Sequence, residues 1–293
     1  MPDLPNAVVD RLRPHVGDIR RSEPVGGGCI ANAMRIEAGG TRYFLKWSGG
    51  EAGQTFEAEA AGLRALRNAA SPLLVPDVMA TWNADDTGPG ALLMGWIEPG
   101  RTDAAFWERF GEALAALHRS TPADGRYGFE RDNFIGRTPQ PNAWRMTWPN
   151  FFRSQRLEPQ IALARSRGGW RERWNAPAER LLDRLPEWLP VSPPASILHG
   201  DLWSGNFLPA SDGCAALIDP ATYYGHRETD LALTELFGGF DRRFYDAYRA
   251  AWPLEPGYAA RREVYNLYHL LNHLNLFGAG YAGQVERTLR RFA

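Results

Sequence analysis

Apolar residues recur at two different spacings along this chain, and the change of spacing divides it into two parts. In the first part, apolar and polar residues alternate over short stretches separated by turn signals such as Ala38-Gly39-Gly40, a pattern that predicts antiparallel strands. Two other stretches repeat their apolar positions every three or four residues and predict helices. The predicted strands are residues 34–36, 42–47, 75–82 and 91–97, and the predicted helices are residues 3–20 and 55–69.

The second part begins after Glu98-Pro99-Gly100, which interrupts the pattern and marks a hinge. Beyond it the spacing is mostly helical, apart from two short apolar runs that predict strands and an irregular stretch at residues 122–150. The predicted helices are residues 104–119, 151–168, 170–187, 228–252 and 257–291, and the predicted strands are residues 196–199 and 215–219. We therefore predict an α+β protein with a β-rich lobe of residues 1–98 and a larger α-helical lobe of residues 99–293.

The composition limits the partners and the location of the protein. Its 293 residues include 33 Lys or Arg and 34 Asp or Glu, a net charge of −1, so we expect no binding to nucleic acid and none to membranes. The first residues lack the apolar core of a secretion signal, and no stretch approaches the about 18 apolar residues that suggest a membrane span. Two cysteines, Cys29 and Cys214, are too few for a disulfide framework. We expect a cytoplasmic protein.

The strongest chemical signal is the sequence His199-Gly-Asp-Leu-Trp-Ser-Gly-Asn206, followed by Ile218-Asp-Pro220. Transfer of a phosphoryl group needs a carboxylate that accepts the hydroxyl proton of the acceptor, and oxygen ligands that hold Mg²⁺ against the nucleotide phosphates. Asp201 suits the first role, and Asn206 and Asp219 suit the second. Protein kinases use the same spacing between the catalytic Asp and the metal-binding Asn. The alternative is that the Asp and Asn only cap backbone groups in a turn.

Three features in the first part fit the same chemistry. Gly26, Gly27 and Gly28 form a loop whose backbone amides can approach phosphates, although a flexible turn has the same composition. Lys46 lies on a strand after this loop and is placed to neutralise phosphates; Glu59, or less favourably Glu57, lies on the next helix and can hold it through an ion pair. Each charged residue taken alone could be a solvated surface residue. The G-x-x-x-x-G-K-[ST] pattern of P-loop proteins is absent.

Beyond these residues, the chain resembles the fructosamine-kinase (ketosamine-3-kinase) family, which is related to aminoglycoside phosphotransferases and choline kinases. The resemblance extends from residue 26 to residue 278. It is carried by the phrases GGGCI, FEAEAAGL, NFIGRTPQPN, LHGDLWSGN, IDPATYYGHRETDLAL, LFGGF and YNLYHLLNHLNLFG. It implies a two-lobed protein-kinase-like fold, with a five-stranded antiparallel sheet and one main helix in the first lobe.

The resemblance also implies an activity, namely ATP-dependent phosphorylation of the 3-hydroxyl of ketosamines (ribulosamine, erythrulosamine or fructosamine adducts), which promotes deglycation of amines or proteins. The cofactors are then ATP and Mg²⁺. Asp201 would be the catalytic base, and Asn206 and Asp219 the metal ligands. Lys46 and Glu59 would serve the phosphates. The segment Met94, Gly95, Trp96 and Ile97 would meet the nucleotide base through its backbone.

Contacts to the acceptor are expected from residues close to these motifs. The ring of Trp203 can stack on a sugar, or it can pack beneath the catalytic loop. Tyr224, His226 and Glu228 follow the metal aspartate and can bind hydroxyl groups, although His226 and Glu228 can equally brace the catalytic loop. His273, with Asn272 and Asn275 on the same predicted helix, is a candidate for closing the acceptor pocket.

Alternatives remain open for the substrate and for the assembly. The acceptor can be another small hydroxyl compound, such as an aminoglycoside or a choline-like alcohol, and a catalytically silent nucleotide-binding regulator is a third reading. A free ketosamine and a glycated protein lysine are both possible acceptors. The protein is expected to be a monomer or a redox-linked dimer through Cys29, since relatives carry a redox-sensitive cysteine at this place; a small neutral loop residue is the alternative.

Overall fold

The computed structural model describes residues 4–26 and 31–293, and its first part contains a five-stranded antiparallel sheet in the order β1-β2-β3-β5-β4. The strands are β1 Ile19–Pro24, β2 Asn32–Ala38, β3 Thr41–Ser48, β4 Val78–Trp82 and β5 Gly90–Gly95. The four strands predicted from alternation are present, and the sheet has the five strands that the family resemblance implied. The described residues contain no helix long and apolar enough to cross a membrane.

Helices cover both faces of this sheet because alternate residues of its strands point to opposite sides. On one face, Leu45 and Trp47 pack with Val8 and Leu12 of α1 (Asn6–Val16). On the other face, Leu92 packs with α2 (Phe56–Asn68). The predicted helix 3–20 is too long, because Gly17 has a φ of 74° that an α-helix does not allow, and residues after it form the edge strand β1.

The second part is mainly helical, as predicted, and two of its predicted helices are each divided by glycine. The segment 228–252 forms two helices because Gly238 and Gly239 have φ values of 73° and 94°, and Gly278, with a φ of 87°, divides the segment 257–291. The helices are α3 Ala104–His118, α4 Trp148–Phe151, α5 Glu158–Ser166, α6 Asn175–Asp183, α7 Leu185–Trp188, α8 Glu228–Leu236, α9 Arg242–Ala251, α10 Tyr258–Phe277 and α11 Ala282–Phe292.

Residues 119–194 form an insertion between α3 and the strand that leads to the predicted catalytic loop. The stretch predicted to be irregular contains a hairpin of β6 (Asn133–Ile135) and β7 (Thr138–Gln140). A π-helical segment, Phe152–Leu157, joins α4 to α5. The wider turn of a π-helix is often found at functional sites.

Two short hairpins carry the predicted catalytic and metal-binding segments. β8 (Ala195–Leu198) pairs with β11 (Tyr223–His226), and β9 (Phe207–Pro209) pairs with β10 (Ala215–Leu217). β8 and β10 were predicted as strands, whereas β9 and β11 were not.

The two parts of the chain are joined across a cleft by apolar packing and by backbone pairing. Phe56 and Leu63 of α2 belong to the same buried cluster as Phe106 and Phe110 of α3, and Leu74 pairs with Ala216 of β10. The sheet and α2 are thereby held against the loops that follow β8 and β10.

Candidate active site

Lys46 lies between two carboxylates that come from distant parts of the chain. Its Nζ donates a hydrogen bond to Glu59 Oε1 at 2.8 Å and contacts Asp219 Oδ1. Burial alone would lower the pKa of Lys46, but the two carboxylates outweigh burial and raise it above its usual value. The lysine is therefore fully charged and fixed at the point where β3, α2 and the loop after β10 meet.

The alternation of β3 explains why Lys46 faces α2. Leu45 and Trp47 point to the α1 side of the sheet, so Lys46 points to the opposite side, where Glu59 lies on the inner face of α2. The ion-pair partners of Lys46 are Glu59 and Asp219, whereas the carboxylate of Glu57 lies 3.5 Å from Asn83 Nδ2. Burial raises the pKa of Glu59, against the attraction of Lys46.

Asp201 and Asn206 come together in the loop between β8 and β9. Asn206 Nδ2 donates to the backbone oxygen of Asp201 at 2.8 Å and to Asp201 Oδ2 at 3.0 Å, which leaves the amide oxygen as the atom of Asn206 that can bind a cation. Burial raises the pKa of Asp201 to about 7; the hydrogen bond from Asn206 lowers it, and the charges of Asp219 and Asp230 raise it further.

Gly200 brings this loop into contact with the segment that follows Asp219. It has a φ of 81°, and a Cβ atom there would lie 2.1 Å from the carbonyl oxygen of Ala221. Any other residue would push the loop that carries Asp201 away from the segment that follows Asp219.

Asp219 has an unusual backbone conformation. Its φ is 55°, and it is the only non-glycine residue with positive φ in the described part of the chain. Such a conformation costs of the order of 1 kcal/mol or more, and it persists where the surroundings impose it, often at functional sites. The side chain is 42% exposed, toward the cleft where Lys46 lies.

The donor set fits magnesium. Asp219 supplies carboxylate oxygens and Asn206 an amide oxygen, the hard ligands that Mg²⁺ prefers. In the described residues, no group of three or more His, Cys, Asp or Glu side chains is arranged to hold a metal. Mg²⁺ is commonly held by one or two protein ligands together with nucleotide phosphates and water, and Asp219 and Asn206 are suited to be such ligands.

Asp230 is a buried residue of this site that the sequence analysis did not identify. Its carboxylate, at the start of α8, accepts hydrogen bonds from the backbone N–H groups of His199 (2.8 Å) and Gly200 (2.9 Å), and lies 3.3 Å from His118 Nε2. Burial alone would raise the pKa of Asp230, but these hydrogen bonds and the neighbouring histidines lower it. Asp230 thus fixes the backbone that carries Asp201.

Of the predicted acceptor residues, Trp203 and His273 lie at the surface near the catalytic loop. Trp203 is 40% exposed, and its ring covers Gly205. His273 contacts Phe237, with ring centroids 4.7 Å apart, and the neighbouring Gly239 packs against Ser204 of the catalytic loop.

The other predicted acceptor residues have different surroundings. Glu228 is fully buried and binds Arg261 through two hydrogen bonds of 2.6 and 2.7 Å. His226 is also buried and contacts the hydroxyl of Tyr265 at 2.7 Å. Tyr224 stacks on Trp144 and lines a cavity of about 680 Å³ on the outer side of α2. Lys46, Asp201 and Asp219 do not line this cavity. Asn272 and Asn275 contact Gln160.

The predicted nucleotide-binding segments are partly described. Gly26 is exposed after β1, whereas Gly27, Gly28 and Cys29 lie outside the described residues. Met94 and Gly95 are the last residues of β5 and pair with β3. Trp96 and Ile97 follow the strand and are partly exposed, with Trp96 N–H donating to Arg42 O at 3.3 Å.

Comparison with known proteins places nearly the whole chain in one family. The model of the family described as fructosamine kinase matches residues 6–293. A Synechocystis protein named "probable ketoamine kinase" is 42% identical over 275 residues, which cover 93% of this chain and 90% of the relative. The chloroplastic protein-ribulosamine 3-kinase of Oryza sativa subsp. indica is 37% identical over 260 residues, which cover 88% of this chain and 74% of the relative.

Solved structures give the same result for the fold. The crystal structure of a Thermobifida fusca protein described as a fructosamine-3-kinase superimposes with a TM-score of 0.86 at 34% identity, over 98% of each chain. An aminoglycoside phosphotransferase superimposes with a TM-score of 0.68 at 17% identity, over 98% of this chain and 99% of the other, a likeness of fold alone. The predicted two-lobed protein-kinase-like fold is confirmed, and the chain belongs to the fructosamine kinase family.

Proposed function

We propose that this protein transfers the terminal phosphoryl group of ATP to the 3-hydroxyl of ketosamines. The observation that carries the proposal is the convergence of Lys46, Glu59, Asp201 and Asp219 in one cleft. The acceptor class follows from the relatives, which are named ketoamine kinase and protein-ribulosamine 3-kinase. The phosphorylated adduct is unstable and releases its amine, so the reaction would reverse glycation of amines or protein lysines.

Each charged group has a defined task in this reaction. The oxygen of the acceptor hydroxyl attacks the terminal phosphorus of ATP while Asp201 accepts the hydroxyl proton, and ADP leaves. Lys46, held by Glu59, binds the phosphates that remain on ADP. Asp219 and the amide oxygen of Asn206 would hold Mg²⁺, which neutralises charge on the phosphate oxygens when it is bound. Asp230 keeps the backbone of Asp201 in place.

The remaining assignments concern the acceptor and the nucleotide base. Trp203, exposed beside Asp201, is our choice for stacking on the sugar, and His273 closes the same side. The ion pair of Glu228 with Arg261 and the contact of buried His226 with Tyr265 favour a structural role for these two residues, in which they fasten β11 and α8 to α10. Trp96 and Ile97 follow β5 and are the residues of the segment 94–97 best placed to meet adenine. We further propose that residues 1–98 form a nucleotide-binding lobe, that residues 99–293 form the catalytic and acceptor-binding lobe, and that the protein is cytoplasmic.

The acceptor assignment is tested by ATP consumption with purified ribulosamine, fructosamine, kanamycin and choline. We expect turnover with the two ketosamines and none with kanamycin or choline. Turnover confined to kanamycin or choline would replace the proposal by a kinase for another small alcohol. Nucleotide binding without turnover on any of the four would favour a catalytically silent regulator.

A further inference from the structure

A buried group of amide side chains in the insertion contacts the segment that follows Asp219. Asn133 Nδ2 donates to the carbonyl oxygen of Thr222 at 2.7 Å, and Gln140 Nε2 donates to the carbonyl oxygen of Ala221 at 3.0 Å. Ala221 and Thr222 come directly before β11, so no strand partner satisfies these carbonyl groups. Side chains from the hairpin β6–β7, about 80 to 90 residues away along the chain, supply the donors instead.

The amide groups also bind one another. Asn133 Oδ1 accepts hydrogen bonds from Gln140 Nε2 at 2.7 Å and from Asn142 Nδ2 at 3.0 Å. All three side chains are at most 4% exposed. Because an unpaired buried amide costs about 1–3 kcal/mol, each of these bonds fixes the orientation of the next. We call Asn133, Gln140 and Asn142 the amide cluster.

Two further residues hold the amide cluster from the other side. The hydroxyl of Tyr268 in α10 donates to Gln140 Oε1 at 2.6 Å, and Arg156 Nη2 donates to Asn142 Oδ1 at 2.7 Å. Arg156 is fully buried in the π-helical segment, and it forms no ion pair with any carboxylate in the part of the chain that the structure describes. Its charge is instead met by carbonyl oxygens and by the ring of Tyr223, whose centroid lies 3.8 Å away.

The segment 219–222 is thus held on both sides. On one side, the side-chain amides of Gln140 and Asn133 donate hydrogen bonds to the carbonyl oxygens of Ala221 and Thr222. On the other side Gly62 of α2 approaches Thr222 so closely that a Cβ atom would lie 3.0 Å from its hydroxyl oxygen. Ala221 N–H also donates to His199 O at 2.9 Å. This is the kind of surrounding that a strained residue such as Asp219 needs, with its φ of 55°.

From this chain of contacts we propose that Asn133, Gln140 and Asn142, locked by Arg156 and Tyr268, are positioning residues for the metal ligand Asp219. They act by fixing the carbonyl groups of Ala221 and Thr222. The inference rests on the proposed function, in which Asp219 binds magnesium. Residues that orient metal ligands from behind typically change metal affinity about 10-fold to 100-fold when they are replaced.

The test is the concentration of Mg²⁺ that gives half-maximal binding of a non-hydrolysable ATP analogue in calorimetric titrations, measured beside the concentration that gives half-maximal ATP turnover. Gln140→Met removes both amide donors at nearly constant volume, and we expect it to raise both concentrations about tenfold while the KM for the acceptor stays unchanged. Tyr268→Phe removes only the hydroxyl group that orients Gln140, and we expect a rise in the same direction of about threefold. Should Gln140→Met fail to fold, Tyr268→Phe decides the question.

Tyr127→Phe is the matched control. The hydroxyl of Tyr127, a buried residue of the same insertion, donates a hydrogen bond to the backbone oxygen of Pro193 at 2.5 Å. This bond does not involve the segment 219–222, so its removal should leave the Mg²⁺ dependence unchanged. The inference is overturned if the Gln140 and Tyr268 variants show the same Mg²⁺ dependence as this control. A separate arm, Asp219→Asn, tests the proposed function itself: if that variant keeps the wild-type Mg²⁺ dependence, Asp219 is not the metal ligand, whatever Gln140 does.

Discussion

Asp201 lies where the folded protein opposes the negative charge of its carboxylate. Its replacement therefore tests both its role as a base and its effect on stability. Burial raises the pKa of Asp201 from the usual 3.8 to about 7, and the charges of Asp219 and Asp230 contribute to the rise. Asn has the same shape and no charge. We therefore expect Asp201→Asn to stabilise the protein without bound nucleotide and to abolish most of its activity.

The size of the stabilisation follows from the pKa. A carboxyl group whose pKa rises from 3.8 to about 7 on folding lowers the free energy of unfolding by about 4 kcal/mol at pH 7. The side chain is partly exposed and solvent screens its charge, so we expect about 1–3 kcal/mol. This destabilisation begins as the pH rises above the pKa of Asp201 in the unfolded chain, and it levels off above the pKa of Asp201 in the folded protein. The variant should therefore melt higher than wild type at pH 7 and at the same temperature near pH 4.

The size of the activity loss follows from the role of the base. A positioned general base contributes about 10²-fold to 10⁴-fold to the rate, so kcat should fall by that factor. The affinity for the nucleotide should change little, because Lys46, Glu59 and Asp219 remain in place.

Thermal melting at pH 4 and pH 7, ADP release with a ketosamine, and calorimetric titration with a non-hydrolysable ATP analogue measure the three quantities. Near-wild-type kcat would refute the role of Asp201 as base. A variant that melts lower than wild type at pH 7 would refute the electrostatic argument, even if activity were lost.

Two further replacements test the neighbouring groups. Glu59→Gln should lower kcat/KM for ATP about 10-fold to 100-fold, with little change in the KM of the acceptor. Removing one partner of a largely buried ion pair costs up to about 3–5 kcal/mol, and the loss is smaller here because Asp219 still holds Lys46. Unchanged kinetics with varied ATP would show that Glu59 is dispensable. Trp203→Ala should raise the KM of the ketosamine about tenfold, since one ring face that covers a sugar buries roughly 60 Å² at about 25 cal/mol per Å². The melting temperature should fall only slightly, because the ring is 40% exposed and its packing partner is Gly205 of its own loop. A large fall in melting temperature with unchanged KM would assign the ring to packing instead.

The parts of the structure that the sequence predicted are those in which the signal is local. Lys46 follows the strand alternation, Glu59 follows helical spacing, and the spacing between Asp201 and Asn206 is set by one short loop. The edge strand β1 was missed because its sequence, IRRSEP, contains little apolar alternation. The helix breaks at Gly238 and Gly278 were missed because amphipathic spacing continues across a glycine, and only the backbone φ reveals the break.

Contacts between distant segments could not be predicted in this way. Asp230 reaches the catalytic loop from 31 residues away, and its position in a helix looks like any acidic residue in a first turn. Glu228 was an expected acceptor contact on the basis of its place after Asp219. Its ion pair with Arg261 joins two helices, and no local pattern identifies the partner.

The balance of charge around Lys46 links the fold of this site to its proposed chemistry. Glu59 and Asp219 both contact one lysine, and Asp201 lies close enough to Asp219 to feel its charge. Three carboxylates around one cation leave an excess of negative charge in a cleft that is partly screened from water, which opposes folding. A divalent cation at Asp219 and Asn206 would neutralise this excess, so that the cleft no longer repels the negative charge of the nucleotide phosphates. The arrangement therefore favours binding of the metal together with the nucleotide over binding of the nucleotide alone.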